Sequence, residues 1–368
     1  MAVYVWQYLK EYAEEKDEIL SAVSEVLESG KLILGPNVSA FEEEFARYCG
    51  TKHGIGVDNG TNAITLALRA VGINPGDEVI TVANTAVPTV SAIVSMGATP
   101  VFVDIDPCTY LMDTDTIEQT ITDKTACILP VHLYGQCVAM DTVNALARKH
   151  GLKVIEDCAQ AHGARQNGQV AGSMSDASSF SFYPTKVLGA FGDGGIVLTS
   201  SDEVRDRLKR LRFYGMESVY YAVEHGYNSR LDELHAAILR KKLAHLDEYI
   251  RDRRKLAQIY DEMLADTDLR LPATGCDNFH VYYLYVVRHA QRDRIMEKLK
   301  ERDIHLNISY PWPIHTMKGY EYLGYAEGAL PHTEAAAKEI FSLPMYPTLD
   351  PQDAERVCLA LKSILKEL

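Results

Sequence analysis

The chain has 368 residues, of which 47% are hydrophobic and 24% charged, an ordinary balance for a globular protein large enough for a sizeable core and two domains. Its 51 acidic residues outweigh 37 basic ones, giving a formal charge of −14, and no basic patch offsets this, so nucleic-acid binding is not expected. No apolar stretch approaches the ~20 residues of a membrane span, and Met1-Ala-Val-Tyr-Val-Trp6 runs into the charged segment Lys10–Lys16, unlike a signal peptide.

The first predicted strand of interest, Ile55–Val57, runs into Asn59-Gly-Thr61 and then a helical pattern. Free amides at a helix start, with the helix dipole, favour a phosphate dianion. Gly54-Ile-Gly56 with Gly60 imitates a dinucleotide fingerprint, but its spacing is wrong. Buried strands are predicted at Glu78–Val82, Thr99–Val103, Ala126–Val131 and Lys153–Ile155, with helices over Pro88–Met96 and Thr142–His150. That alternation predicts an α/β domain with a mainly parallel sheet covered on both faces. Asp104, Asp106, Asp113 and Asp115 read as loop and cap acids, and His132 and His162 as hydrogen-bonded loop histidines. Seven scattered cysteines lack CxxC spacing, which supports no zinc site or disulfide framework and suits a reducing cytoplasm.

The strand ending in Glu156-Asp157 places an acid where ligands collect in open α/β sheets, at a strand's carboxyl end. Ser178–Phe182 is a further strand, Pro184-Thr185 punctuates it, and Lys186 sits on the turn before a loop holding Gly189, Gly192, Gly194 and Gly195. A strand resumes at Ile196–Thr199. A lysine on such a turn can aim its amine into a concave site. Pyridoxal 5'-phosphate needs a lysine for its aldehyde, an acid for its pyridine nitrogen and a nest for its phosphate. The chain supplies them in the order nest, acid, lysine. Beyond lies a charged helical stretch, Leu231–Leu264, then a strand at Val281–Val287 and a helix over Arg292–Arg302, reading as a smaller α+β domain. We divide the chain into a large domain, 1–247, and a small one, 248–368.

These segments resemble the sugar aminotransferases of the DegT/DnrJ/StrS family, which have the type I pyridoxal-phosphate aminotransferase fold. The resemblance runs almost end to end, through Leu34-Gly-Pro36, Asn59-Gly-Thr-Asn62, Gly97–Asp104, Pro130–Gly135, Glu156–Gly163, Ser181–Lys186, Gly226–Leu234 and Tyr310–His315. It implies that Lys186 forms the Schiff base and shuttles the proton, that Asp157 pairs with the pyridine nitrogen, and that Gln160 lies near the ring hydroxyl. It further implies that Gly60, Thr61 and Ser181 hold the phosphate, and that Asn228 reaches the neighbouring subunit's cofactor in a homodimer. Tyr310 and His315 would face the nucleotide-sugar, with Tyr183 a further substrate-side candidate. Because such a substrate is an anion on an acidic protein, its site must be locally positive or amide-rich, and Arg230, beside Asn228, is a candidate there, a structural ion pair being the alternative.

Two positions depart from the family pattern: Ala86 replaces the usual ring-stacking aromatic, and Val187 follows the lysine where Asn is common. Retention of Lys186 argues against the dehydratase chemistry of relatives with His there. The implied reaction moves an amino group from L-glutamate to a keto-sugar carried on a nucleotide such as dTDP. Gln160 and the stretch Asn84–Val90 lean towards a 3-keto substrate. A keto-cyclitol aminotransferase and a non-catalytic regulator are the alternatives.

Overall fold

The computed structural model describes residues 2–368. Seven strands form the main sheet, numbered here in chain order: β1 (His53–Val57), β2 (Glu78–Val82), β3 (Thr99–Val103), β4 (Thr125–Ile128), β5 (Lys153–Asp157), β6 (Ala177–Ser181) and β7 (Gly195–Thr199). Their spatial order is β1-β7-β6-β5-β4-β2-β3. Only β7 runs against its neighbours, pairing antiparallel with β1 and β6, while the other pairs are parallel. The carboxyl ends of β1, β2, β5 and β6 therefore open on one side. Near-continuous burial of these strands fits a sheet covered on both faces.

Sheet pairing of β4 stops at Ile128, short of the expected Val131, because Pro130 has no amide to continue the ladder; Val131 makes only an isolated bridge to Asp157. The aspartates behave as cap and turn acids. Asp104 accepts from the amides of His332 and Thr333, Asp106 from those of Cys108 and Thr109, and Asp113 from that of Asp115.

The helix Glu233–Leu264 joins two hydrophobic cores. Its Leu246, Tyr249 and Ile250 pack with the main-sheet core, and its Leu256, Ala257, Tyr260 and Leu264 with a second. The second core holds the antiparallel pair Tyr285–Arg288 and Ile340–Leu343, and the helices Arg292–Lys300 and Pro351–Leu365. Val3 also packs there, since Val3–Tyr4 pairs with Ile304–His305. The strand expected from Val281 begins only at Tyr285. Upstream, the backbone turns to another partner: the Val281 amide donates to the Gly135 carbonyl (2.8 Å), and Tyr282 adopts φ +49°. Among the described residues no helix is long and apolar enough to cross a membrane.

Candidate active site

A cavity of about 260 Å³ opens at the carboxyl ends of β1, β2, β5 and β6. Gly60, Thr61, Asp157, Gln160, Ser181, Tyr183 and Lys186 all line it, so most residues expected at the site come together.

Its first wall is the start of the helix Gly60–Val71. Asn59 caps this helix by accepting the Asn62 amide at 2.8 Å, leaving the earlier amides uncommitted to the cap. A side chain at position 60 would bring a Cβ within 2.6 Å of the Ser181 Cβ, so glycine keeps an open cradle between this helix and β6. Amides, a hydroxyl and the dipole's positive end there suit a phosphate.

The second wall is β5. Asp157 is buried, and its carboxylate accepts from the Thr89 hydroxyl (2.8 Å) and the Ala159 amide (3.0 Å). Burial raises its pKa, although these hydrogen bonds and the positive Lys186 pull the other way. A desolvated carboxylate held by two donors still calls for a cation, and a protonated pyridine nitrogen is one. Its neighbour Glu156 faces away, accepting from Gly172 and Met174 amides, the Ser175 hydroxyl and His132.

The third wall is the turn after β6. The Lys186 amide closes onto the Tyr183 carbonyl at 2.9 Å, and the Ala190 amide onto Phe182 at 2.8 Å. A Cβ at Gly189 would meet the Pro184 carbonyl oxygen at 2.6 Å, so this tight return needs glycine. The Lys186 amine lies over the Tyr283 ring, 4.8 Å from its centroid. Gln160 is fixed at both ends: its carbonyl accepts the Tyr134 amide (2.9 Å) and its amide donates to the Tyr310 hydroxyl (2.8 Å). Burial raises the Tyr310 pKa, so the phenol stays protonated.

In place of the expected ring-stacking aromatic, Ala86, Pro88, Val131 and Ala159 supply aliphatic surface; Tyr183 is the one aromatic among the lining residues. Nest, acid and lysine thus share one cavity, and the residues present fit pyridoxal 5'-phosphate.

A model of the DegT/DnrJ/EryC1/StrS aminotransferase family matches residues 13–362. The chain belongs to this family. It is 56% identical over 374 aligned positions to a dTDP-3-amino-3,4,6-trideoxy-alpha-D-glucose transaminase of Micromonospora megalomicea subsp. nigra, with all of both chains covered. It is 45% identical to a pleiotropic regulatory protein of Geobacillus stearothermophilus, over 95% of this chain and 94% of that one. Streptomyces venezuelae DesV, solved in complex with a ketimine intermediate, superposes with a TM-score of 0.98 at 42% identity, covering 100% of this chain and 99% of DesV. The aminotransferase is thus a pyridoxal-phosphate enzyme of the type I fold.

Four expected site residues, Asn228, Arg230, Tyr310 and His315, do not line the aminotransferase's cavity, although Tyr310 is hydrogen-bonded to Gln160, which does. His315 is buried in a neighbouring cavity of about 450 Å³ beside Trp312 and Tyr325, its Nε2 3.0 Å from Glu334. Asn228 is exposed, and its carbonyl accepts from Arg230 at 2.6 Å. Arg230 makes no ion pair among the described residues; its guanidinium lies over the Phe213 and Tyr214 rings. His132 is hydrogen-bonded as expected, to Glu156 and the Val138 amide. His162 is not: both ring nitrogens are buried without a partner in hydrogen-bonding geometry, among Phe45, Phe180 and Phe182. It lies on a turn, as its small neighbours suggest, and its ring packs into the aromatic core beneath β6. The sequence reading missed Thr85, Thr89, Tyr134 and Tyr283. The first two sit inside the stretch Asn84–Val90 that drew attention for other reasons.

Proposed function

We propose that the enzyme transfers an amino group from L-glutamate to a 3-keto-deoxysugar carried on dTDP, working as a homodimer with shared active sites. The observation that carries this is the convergence of Asp157, Lys186 and the amide-lined helix start on one cavity, in a chain 56% identical to a transaminase of a dTDP-3-amino sugar.

Bound pyridoxal 5'-phosphate supplies an electron sink for the pair left when a proton departs from the amine-bearing carbon. With the cofactor in place Lys186 would hold it, and, once displaced by the donor amine, its Nζ would accept the proton from the donor carbon and give it back. In the second half it runs the same transfer in reverse on the keto-sugar. Asp157, its orientation set by Thr89 and Ala159, keeps the ring nitrogen protonated. Gly60, Thr61 and Ser181 hold the phosphate, and Gln160, braced by Tyr134 and Tyr310, faces the ring hydroxyl. Asn228 serves the partner's cofactor. Tyr183 and Tyr310 contact the sugar, while His315 and Arg230 act towards the nucleotide, His315 from the adjoining cavity that the segment Tyr310–His315 links to the first.

The direct test incubates the purified enzyme with glutamate and dTDP-linked 3-keto and 4-keto sugars, then locates the new nitrogen by NMR. Nitrogen at C3 is expected. Exclusive amination at C4 would overturn the regiochemistry, and no amination of either sugar would overturn the nucleotide-sugar assignment.

A further inference from the structure

We propose that Tyr283, presented by the C-terminal part of the chain, is a positioning residue for the Lys186 amine, its ring face holding the ammonium whenever that group is released from the cofactor. The inference rests on the aminotransferase reading above and concerns a residue outside the cofactor's own walls.

The contact is built with care. The Lys186 Nζ is 4.8 Å from the Tyr283 ring centroid, within the reach of a cation–π attraction. The phenol oxygen is 3.2 Å from the Thr185 hydroxyl, tying the ring to the residue just before the lysine. Three further contacts fix the backbone behind the ring. A Cβ at Gly135 would approach the Tyr283 amide nitrogen to 2.7 Å, so glycine there allows the two segments to touch. The Leu284 amide donates to the Tyr134 carbonyl at 3.3 Å. The guanidinium of buried Arg253 donates to the carbonyls of Tyr283 (3.2 Å), Tyr282 (3.3 Å) and Met345 (2.8 Å). Tyr283 is itself 9% exposed, leaving its ring little room to turn away.

The chemistry gives this contact a task. A proton-shuttling lysine leaves the cofactor, takes a proton to become ammonium, and must deliver it without swinging into water. Asp157 cannot restrain it, because that carboxylate is committed to the ring nitrogen. A ring face attracts the charged form without accepting its proton, so it confines the amine and leaves the transfer reversible.

The test replaces Tyr283 with Phe, with mono-, di- and trifluorinated Phe, and with Leu. Fluorination drains charge from the ring face while changing packing little. The first readout needs no bound cofactor: the rate at which acetic anhydride labels Lys186 in the apoprotein, followed by mass spectrometry. It should rise stepwise from Phe through the fluorinated rings to Leu, by about tenfold in all. In the loaded enzyme the single-turnover rate with glutamate should fall in the same order, with little change in the KM for glutamate. A labelling rate that is flat across the fluorinated series would overturn the proposal, even if Leu alone disturbs it. A wild-type protein inactive on every keto-sugar would instead overturn the functional reading, and the labelling series would still decide the role of Tyr283.

Discussion

The Thr89 hydroxyl donates to the Asp157 carboxylate at 2.8 Å, across 68 residues of sequence, and itself lies 2.9 Å from the Thr85 hydroxyl. The acid that must face the cofactor's ring nitrogen is thereby oriented by the start of a different helix, Val87–Ser95. Thr89→Val should leave the fold intact and weaken cofactor retention by about 2 kcal/mol, the worth of a hydrogen bond to a buried charge. Cofactor titration of the apoprotein, followed by absorbance, measures this. Unchanged affinity would show that Ala159 alone orients the carboxylate.

Asp157→Asn should separate stability from function. Burial raises the Asp157 pKa, so the folded apoprotein binds this proton more tightly than the unfolded chain. The carboxylate therefore costs apoprotein stability as pH rises from about 4, its unfolded value, through its raised folded value, and the full cost persists at neutral pH. The neutral amide should make the apoprotein more resistant to urea at pH 7 and weaken cofactor binding by about 3 kcal/mol through loss of the charge partner. An apoprotein destabilised by the change would contradict the desolvation argument.

Lys186→Ala should remove the absorbance of the lysine-bound cofactor and steady turnover together, since one amine performs both the attachment and the proton transfer. Normal turnover in this variant would refute the assignment. Gly60→Ala makes a complementary change. Its methyl would sit 2.6 Å from the Ser181 Cβ, filling the cradle, and should lower cofactor affinity at least ~10-fold while costing about 1–2 kcal/mol of stability by overpacking. Ser181→Gly in the same chain should restore part of the stability but not the affinity, because it also removes a hydroxyl that holds the phosphate.

The shared-site proposal for Asn228 yields to mixing. Dimers of Lys186→Ala and of Asn228→Ala, each crippled alone, are unfolded together and refolded. If Asn228 serves the partner's cofactor, each hybrid carries one intact site and one doubly damaged site, and activity returns to roughly a quarter of wild type by random pairing. No recovery would place Asn228 in its own protomer's site or outside the site.

His162 predicts a pH response. Burial lowers its pKa to about 3, so the folded chain resists a proton that the unfolded chain accepts near 6.5. Stability is then full above pH 6.5 and declines as pH falls towards 3, contributing up to about 1.4 kcal/mol per pH unit. His162→Met should flatten that decline in urea titrations between pH 6 and 4. An equal slope in both proteins would mean that the imidazole finds a partner on protonation.

Much of this site was legible in the sequence. The helix start after Asn59-Gly-Thr61, the Lys186 turn and the glycines near it are local features, set by hydropathy period and allowed backbone angles within a few residues. The strands Glu78–Val82 and Thr99–Val103 match their expected bounds because short runs rich in β-branched and aromatic residues have few other uses. The turn at His162 was legible from its small neighbours, but its lack of a hydrogen-bond partner was not, because the ring's environment comes from Phe45, Phe180 and Phe182 on other segments.

The order of nest, acid and lysine is thus written into the chain itself, since each depends on its immediate neighbours. That Thr89 reaches Asp157, that Tyr283 covers Lys186, and that His315 lies in a second cavity were decided only by folding. Such contacts depend on strand order and on how the second core seats against the first, and a side chain's own neighbours in sequence carry no record of either.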